Sequence, residues 1–333
     1  MTGGIARPRV FVSRRVFPEV LDYLGQHLEV AVNPGEEPLG PDALATAIGD
    51  REGLLLSGFD PFRADLIARC PRLKAVCNIA VGFNNIDVAA CTAAGIRVTN
   101  TPEVVDDGTA DLAWALILGA GRQVVAWDRW LRAGHWQDTA RNPLRGRDIH
   151  HATLGILGLG RVGRAIAARA AGFSMQVVYH NRRRLEPGDE AAVGARWLPK
   201  DELLRAADFL VLALPYTPEN RHAVGAAELA LMKPTACLIN VARGGIVDDG
   251  ALIAALREKR LAGAGLDVFE NEPAFDPGFL ELDNVVLTPH IGTATRATRV
   301  AMAMRAAGNL VTAMQGRRPR DVVNPEVESM LRA

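Results

Sequence analysis

The sequence predicts an α/β protein of two domains with parallel β-sheets, and three observations carry this prediction. The chain has 333 residues, which is too long for one ordinary core and suits two domains. Two separate series of short apolar runs alternate with helical patterns, one before residue 105 and one from Thr153 onward. A glycine-rich turn lies early in the second series. Strands that alternate with helices are typical of βαβ units.

The first series covers about the first hundred residues. Its apolar runs predict strands, and the helical patterns between them predict helices that return the chain to the same edge of a sheet. The expected strands are Arg9–Ser13, Leu28–Asn33, Gly53–Ser57, Leu73–Ala80 and Arg97–Asn100, and the expected helices are Pro18–His27, Pro41–Ile48, Phe62–Arg69 and Ile86–Ala94.

A single long helix is expected next, over residues 108–134. Its first half, DLAWALILGAG, is apolar on nearly all sides, so we expect it to be buried. Trp127, Trp130 and Trp136 follow, which are three of the five tryptophans of the chain. They either cap the local core or form a surface for a partner subunit, where aromatic side chains are enriched. We favour the second interpretation and expect a homodimer whose interface includes residues 121–151.

The second series consists of runs that are apolar throughout, as expected for strands covered on both faces. A final helix, over about residues 294–315, is expected to carry the chain back toward the first domain. The expected strands are Leu154–Leu157, Gln176–His180, Phe209–Leu214, Cys237–Val241, Gly265–Val268 and Val285–Thr288.

Composition excludes several function classes. Lys plus Arg equals Asp plus Glu at 38 each, so the strongly basic character of a nucleic-acid-binding protein is absent. No apolar run is long enough for a signal peptide or a membrane span. No histidine or cysteine spacing fits a metal site, and no GxSxG motif indicates a serine hydrolase. We expect a cytoplasmic enzyme without metal, in which the four cysteines are buried thiols.

The glycine-rich turn indicates a dinucleotide site. It reads Gly158-Leu159-Gly160-Arg161-Val162-Gly163, follows the run LGIL and precedes a helical pattern. In a Rossmann-type, doubly wound parallel sheet the first glycine makes the turn, the second admits the pyrophosphate and the third lets helix and strand pack closely. The alternative is a glycine-rich turn without function, which this context disfavours.

The end of the next strand favours NADP(H) over NAD(H), which stays open as an alternative cofactor. NAD-specific sites place an acidic residue about 20 residues beyond the glycine turn, to hold the ribose 2′-hydroxyl. Here the strand QVVYH runs into Asn181 and then Arg182, Arg183 and Arg184. Guanidinium groups bind phosphate through forked contacts. A solvated basic turn is the alternative, and the missing acid decides against it.

Three polar residues follow neighbouring predicted strands and suggest a catalytic centre. Arg243 follows CLINVA, Glu272 lies in LDVFENEP and His290 lies in TPHIG. Arginine can hold a carboxylate and polarise a carbonyl. Histidine can donate or accept a proton near neutral pH, and a neighbouring carboxylate stabilises its cationic form. Each residue alone has an ordinary surface role as its alternative, but three together favour catalysis.

These segments resemble the D-isomer-specific 2-hydroxyacid dehydrogenase family along almost the whole chain. The resemblance rests on VGFNNIDVAACTAAGIRVTNTP, the glycine turn, LPYTPENRHAVG, INVARGGIVDDGALIAAL, GAGLDVFENEP and TPHIGTAT. RDIHHATLGILGLGRVGRAIA and YHNRRR are most similar to its bacterial glyoxylate/hydroxypyruvate reductases, which also act as 2-ketogluconate reductases. The resemblance implies reduction of small 2-oxo acids to D-2-hydroxy acids by hydride transfer.

The resemblance also implies domain bounds and residue roles. Residues 105–293 would bind the dinucleotide, while residues 1–104 and 294–333 would form a discontinuous, flavodoxin-like substrate domain, with a cleft between the two. It implies catalytic roles for Arg243, Glu272 and His290, and a substrate carboxylate held by backbone amides near Val81 and Gly82. The further expected cofactor contacts are Thr109, Leu214, Pro215, Asn220, Val241, Ala242, Asp267 and Gly292.

The sequence departs from the family pattern at two positions, and two other functions remain as alternatives. Asn220 replaces the usual threonine near the adenosine end, and Thr293 replaces the usual serine after PHIG. A dinucleotide-sensing corepressor is one rival, because such proteins can retain the same three polar residues. Phosphoglycerate dehydrogenase is the other, and the missing acid at Asn181 argues against it.

Overall fold

The computed structural model describes residues 7–35, 37–136 and 146–331. Within them the chain divides into two compact units. One unit is formed by the residues up to Val105 together with those from Thr295 onward, and the other by Asp106–Ala294. No helix in the described ranges is long and apolar enough to cross a membrane, and no group of three or more His, Cys, Asp and Glu side chains there could hold a metal ion.

The elements are numbered in chain order. The strands of the described residues are β1 Arg9–Val12, β2 Glu29–Val32, β3 Gly53–Ser57, β4 Ala75–Ile79, β5 Arg97–Thr99, β6 Thr153–Leu157, β7 Gln176–His180, β8 Ala195–Trp197, β9 Phe209–Leu212, β10 Cys237–Asn240, β11 Gly263–Leu266 and β12 Val285–Leu287. The α-helices are α1 Pro18–His27, α2 Pro41–Ile48, α3 Ala64–Ile67, α4 Val88–Ala93, α5 Asp106–Gly121, α6 Val124–Arg132, α7 Arg161–Ala170, α8 Pro187–Ala192, α9 Lys200–Ala206, α10 Ala226–Leu231, α11 Asp249–Arg257, α12 Arg296–Met314 and α13 Val327–Met330.

The first unit is built on a five-stranded parallel sheet in the order β2-β1-β3-β4-β5. This is the flavodoxin-like order, as the sequence predicted. The long helix α12 packs on β3 and β4 and buries its small and aliphatic side chains, among them Ala303, Ala307 and Leu310. The helix therefore completes the core of a unit whose five strands all precede Val105.

The second unit contains a seven-stranded sheet in the order β12-β11-β10-β9-β6-β7-β8. All its strand pairs are parallel, and strands β9, β10 and β11 are buried along their whole length. The order reverses at β6, so the sheet is doubly wound in the Rossmann manner, which confirms the predicted fold class. The reversal places the glycine turn after β6 at the switch point of the sheet.

The prediction of one helix over residues 108–134 is wrong. The stretch forms two helices, α5 and α6, and the chain breaks between them at Gln123, which has a left-handed φ of 52°. Packing explains the break, because a Cβ on Gly121 would lie 2.6 Å from Ile149 and 2.9 Å from Phe209. The end of α5 is thereby packed tightly into the core, while α6 has no buried residue.

Two shorter elements also differ from prediction. Strand β8 was missed, because its three residues place the exposed Arg196 between two less exposed side chains and give no recognisable period. Helix α3 is only four residues long, shorter than the predicted Phe62–Arg69. Residues 137–145 of the expected subunit interface lie outside the described residues.

Candidate active site

The functional segments of the second unit lie where its parallel strands end. The carboxyl ends of β6, β7, β9, β10, β11 and β12 lie on one edge of the sheet, because all these strands run in the same direction. Ligands of open α/β sheets bind at this edge. The glycine turn, the Asn181 segment, Leu214 and Pro215, Arg243, Asp267 and His290 all follow strands that end there.

The glycine turn is shaped by two contacts that tolerate no side chain. Gly158 has a φ of +103°, and a Cβ there would lie 2.8 Å from the backbone of Ala213 and Leu214. A Cβ on Gly163 would lie 2.4 Å from the carbonyl oxygen of Gly158. Gly160 is different, because a Cβ there would meet no protein atom within 4 Å. The backbone is thus open at the N-terminus of α7, where a helix favours an anion.

The residues after β7 do not share one role. Asn181 accepts a hydrogen bond from the backbone N–H of Leu159 through Oδ1, at 2.7 Å, and so ties the glycine turn to β7. Arg184 makes two hydrogen bonds of 2.8 Å to the carboxylate of Glu190, which also accepts one from Tyr179. These contacts lower the pKa of Glu190 to about 2, the Arg184 bonds foremost. Arg184 therefore holds the turn in place, while Arg182 and Arg183 are exposed.

Asp267 organises the loop that carries His290. It is buried, and its carboxylate accepts hydrogen bonds from Thr288 Oγ1 at 2.7 Å and from the backbone N–H groups of Ile291 and Gly292 at 2.7 and 2.9 Å. Burial raises the pKa of Asp267, and these bonds oppose that rise. The site of a Gly292 Cβ would lie 3.6 Å from Oγ1 of Thr109 on α5, so three of the expected cofactor residues lie together.

Arg243 lies in a tight turn after β10. Asn240 accepts a hydrogen bond from the Ala242 N–H at 3.0 Å and donates one to the Arg243 carbonyl at 3.2 Å. The following Gly244 packs so closely on the loop after β11 that a Cβ would lie 1.7 Å from the carbonyl oxygen of Phe269. Only glycine permits this approach, which sets the turn with Arg243 directly against the segment that leads to Glu272.

Glu272 and His290 form a hydrogen-bonded pair. His290 Nδ1 lies 2.7 Å from Oε2 of Glu272, and Oε1 of the same carboxylate accepts the Phe269 N–H at 2.8 Å. His290 and Glu272 are half-buried, with 31% and 30% of their side-chain surfaces exposed. His290 has a left-handed φ of 53°, a conformation that is uncommon for residues other than glycine.

The charges of the three residues influence one another. Burial raises the pKa of Glu272, but the hydrogen bond from His290 and the charges of His290 and Arg243 outweigh it, so its pKa is lowered overall. Burial lowers the pKa of Arg243, and the charge of Glu272 opposes this effect. Glu272 is therefore a carboxylate at neutral pH and stabilises a positive charge on the imidazole.

Val81 and Gly82 lie in the first unit, directly beyond β4. Their carbonyl oxygens accept hydrogen bonds of 2.8 Å from side-chain amides, that of Val81 from Asn100 and that of Gly82 from the fully buried Asn78. These contacts fix the loop through its carbonyl groups and leave its N–H groups out of those bonds. Sequence reasoning missed both asparagines, because an asparagine at a strand end is common in turns.

Comparison with known proteins decides the family. The family model of the D-isomer specific 2-hydroxyacid dehydrogenase NAD binding domain matches residues 114–292. A glyoxylate reductase from Thermococcus onnurineus is 43% identical over 325 residues, which are 96% of this chain and 97% of that protein. The chain belongs to the D-isomer specific 2-hydroxyacid dehydrogenase family. It is therefore an NAD(P)-dependent oxidoreductase.

Solved structures of the family agree with this assignment. A D-isomer specific 2-hydroxyacid dehydrogenase from Polaromonas superposes with a TM-score of 0.88 at 38% identity and covers 95% of this chain and 99% of its own. An NADPH-dependent glyoxylate/hydroxypyruvate reductase from Sinorhizobium meliloti, solved with NADP and malonate, gives 0.86 at 34% identity, with coverage of 96% and 97%. The first of these confirms the two-domain, Rossmann-containing architecture of the family for this chain.

The residues present fit a nicotinamide dinucleotide. The open backbone at Gly160, the N-terminus of α7 and the ordered turn after Asn181 offer N–H groups and positive charge to a pyrophosphate and an adenosine. The roles of the second and third glycines of the turn, Gly160 and Gly163, can be distinguished by the atoms that an added methyl group would contact.

We expect Gly160→Ala and Gly163→Ala to fail in different ways. The Gly160 methyl enters open space, so the variant should keep the wild-type melting temperature but bind NADPH at least about tenfold more weakly, because the pyrophosphate loses close approach. The Gly163 methyl meets the Gly158 carbonyl and should destabilise the fold by about 1–3 kcal/mol. Calorimetry and fluorescence titration measure both. Equal effects of the two substitutions on binding and on stability would contradict this interpretation.

Proposed function

We propose that this dehydrogenase is an NADPH-dependent reductase of small 2-oxo acids, which it converts to D-2-hydroxy acids. Glyoxylate and hydroxypyruvate are the proposed substrates, with 2-keto-D-gluconate as a longer one. The single observation that carries the proposal is the 2.7 Å pair of Glu272 and His290 beside the turn of Arg243. The printed activities of the relatives, glyoxylate reductase and NADPH-dependent glyoxylate/hydroxypyruvate reductase, support the substrate class.

The proposed mechanism gives each residue one task. The bound nicotinamide supplies the hydride. Arg243 holds the substrate carboxylate and polarises the carbonyl group. His290 donates a proton from Nε2 to the carbonyl oxygen, while Glu272 on Nδ1 fixes the ring and stabilises its cationic form. Asp267 holds the loop of His290, and we propose that it would also hold the carboxamide of a bound nicotinamide.

The direct test is NADPH oxidation with a panel of 2-oxo acids. Turnover of glyoxylate and hydroxypyruvate supports the proposal. Tight NADPH binding without turnover of any acid in the panel would contradict it and favour a dinucleotide-sensing binding protein instead. The same panel with NADH in place of NADPH shows the cofactor preference independently of which acid is reduced.

His290→Ala should lower kcat for glyoxylate reduction by about 10²–10⁴-fold with nearly unchanged NADPH binding, because general acid catalysis contributes that much.

Glu272→Gln should keep measurable activity but lose it at a lower pH than the wild type. The Glu272 carboxylate lies 2.7 Å from Nδ1, and a carboxylate stabilises a neighbouring cation, so the substitution should remove that support from the cationic ring. The measurement is the pH profile of kcat/KM, and an identical profile in Glu272→Gln would rule out the paired mechanism.

For the cofactor, kcat/KM with NADPH should exceed that with NADH by at least about tenfold, since one charged phosphate contact contributes about 1.5–3 kcal/mol. Arg182→Ala and Arg183→Ala should narrow this ratio, because both side chains are exposed beyond β7. Arg205→Ala is the matched control, a surface arginine on α9 that pairs with Asp201. Equal efficiency of the wild type with both cofactors would contradict the proposal.

We further propose that a second copy of the chain covers the aromatic face of α6. Trp127 and Trp130 pack edge to face at 5.4 Å, and Leu131 and Trp136 are 51% and 55% exposed. Large exposed apolar patches mark interaction sites, and the family resemblance implies a dimer.

Light scattering at micromolar concentration should therefore give a dimer. Leu131→Glu should shift it toward monomer, whereas Leu280→Glu, at a still more exposed leucine elsewhere in the same unit, should not. A monomeric wild type contradicts the dimer, and a dimer unaffected by Leu131→Glu contradicts this location.

A further inference from the structure

A polar cluster outside the proposed catalytic trio joins the two loops that carry Arg243 and Glu272. Its centre is His222, whose Nε2 lies 2.8 Å from Oε1 of Glu270. The other ring nitrogen, Nδ1, lies 3.8 Å from a carboxylate oxygen of Asp248. His222 precedes α10 and has no part in the mechanism proposed above.

The backbone of His222 is fixed on the Arg243 side. Its N–H donates to the carbonyl oxygen of Gly245 at 2.8 Å, and the N–H of Val224 donates to Ile246 at 3.1 Å. The segment therefore lies alongside the turn that begins at Arg243. A left-handed φ of 51° at His222 shows that these contacts hold the residue in a conformation it would rarely adopt alone.

The side chain of His222 reaches the Glu272 side. Glu270, its partner, also donates its backbone N–H to the buried carboxylate of Asp249 at 2.9 Å. The preceding residue, Phe269, donates its N–H to Glu272 Oε1 at 2.8 Å. The segment from Phe269 to Glu272 is thus held from three sides, by His222, by Asp249 and by the close approach of Gly244.

We propose that His222 is a positioning residue, which holds the segment from Phe269 to Glu272 against the Arg243 turn and so keeps the Glu272 carboxylate on His290. The proposal rests on the proposed function, since it requires that Glu272 act through His290. Loss of the His222 side-chain bond would let the segment move, and Glu272 would then support the imidazolium less well.

A purely electrostatic role of His222 predicts that the high-pH limit of activity moves in the opposite direction, so the pH profile distinguishes the two roles. The charged groups that face His222 are Glu270 and Asp248, with Asp249 behind Glu270. If His222 acted only through its charge, an uncharged replacement would leave Glu270 uncompensated and add negative potential near His290. Reduction would then persist to higher pH, whereas loss of positioning moves the upper limb of the profile to lower pH.

The experiment compares His222→Leu with His222→Gln in the full chain. Both replacements place the same backbone strain on a left-handed residue, but only glutamine keeps an N–H donor near the position of Nε2. His222→Leu should lower kcat by about fivefold or more, which is less than the roughly 10²-fold loss that a 1 Å misplacement can cause. It should also move the high-pH fall of the kcat/KM profile to lower pH, as Glu272→Gln does. His222→Gln should restore most of both, and the NADPH dissociation constant should not change.

Three results would overturn the proposal. One is that Glu272→Gln moves the upper limb of the pH profile but His222→Leu does not. That result would contradict the role of His222 and leave the proposed function intact. Another is a limb that moves to higher pH. The third is an upper limb that neither variant moves, which rules out the Glu272–His290 mechanism itself, whereas the substrate panel tests the proposed function separately. If His222→Leu does not fold, His222→Asn takes its place, because asparagine tolerates a positive φ well and is too short to reach Glu270.

Discussion

The close approach of the Arg243 turn to the loop after β11 is the constraint on which the site depends. A Cβ on Gly244 would lie 1.7 Å from the Phe269 carbonyl oxygen, so the two loops touch through backbone atoms. Two strands of a parallel sheet are about 4.8 Å apart, and their loops can stay at that spacing only where side chains do not intervene. This contact determines how far apart the Arg243 turn and the Glu272 segment lie. His290 is then held by its hydrogen bond to Glu272.

The charges of the site are held by partners rather than by solvent. Asp267 is buried with three donors, and Glu272 uses one carboxylate oxygen for a backbone N–H and the other for His290. Burial raises the pKa of both carboxyls, but in Glu272 the hydrogen bonds from His290 and the Phe269 N–H, together with the charges of His290 and Arg243, outweigh it. The same sheet edge thus holds two acidic residues in different electrostatic states, one that orders a loop and one that pairs with a base.

The sequence predicted the architecture well, because runs of buried strands and the glycine turn are local patterns. It also brought Arg243, Glu272 and His290 to one sheet edge, since strand direction alone determines that edge. What it could not predict depends on contacts distant in sequence. The end of α5 at Gly121 packs on Phe209, far away in the chain. Arg184 differs from its neighbours by a shorter-range contact, its bonds to Glu190, which a run of arginines does not reveal.

The positions of His222 and Glu270 show the same limit. They are 48 residues apart in the chain, and no spacing within the sequence relates them. Likewise, Asn78 and Asn100 hold neighbouring carbonyl groups of one loop from two different strand ends. Side chains that position other residues are recognised only when the loops are assembled, whereas side chains that carry out chemistry can be recognised by their type and place.

The central claim is that Glu272 and His290 act as one unit on a single transition state, and a double-mutant cycle tests it most directly. The measurement is kcat/KM for glyoxylate reduction by NADPH in the wild type, Glu272→Gln, His290→Ala and the double variant at one pH. The account predicts that the double variant is within about threefold of His290→Ala, because Glu272 works only through the imidazole and effects of coupled residues do not add. A double variant in which the two losses multiply would show that the carboxylate and the imidazole act independently, and would contradict it.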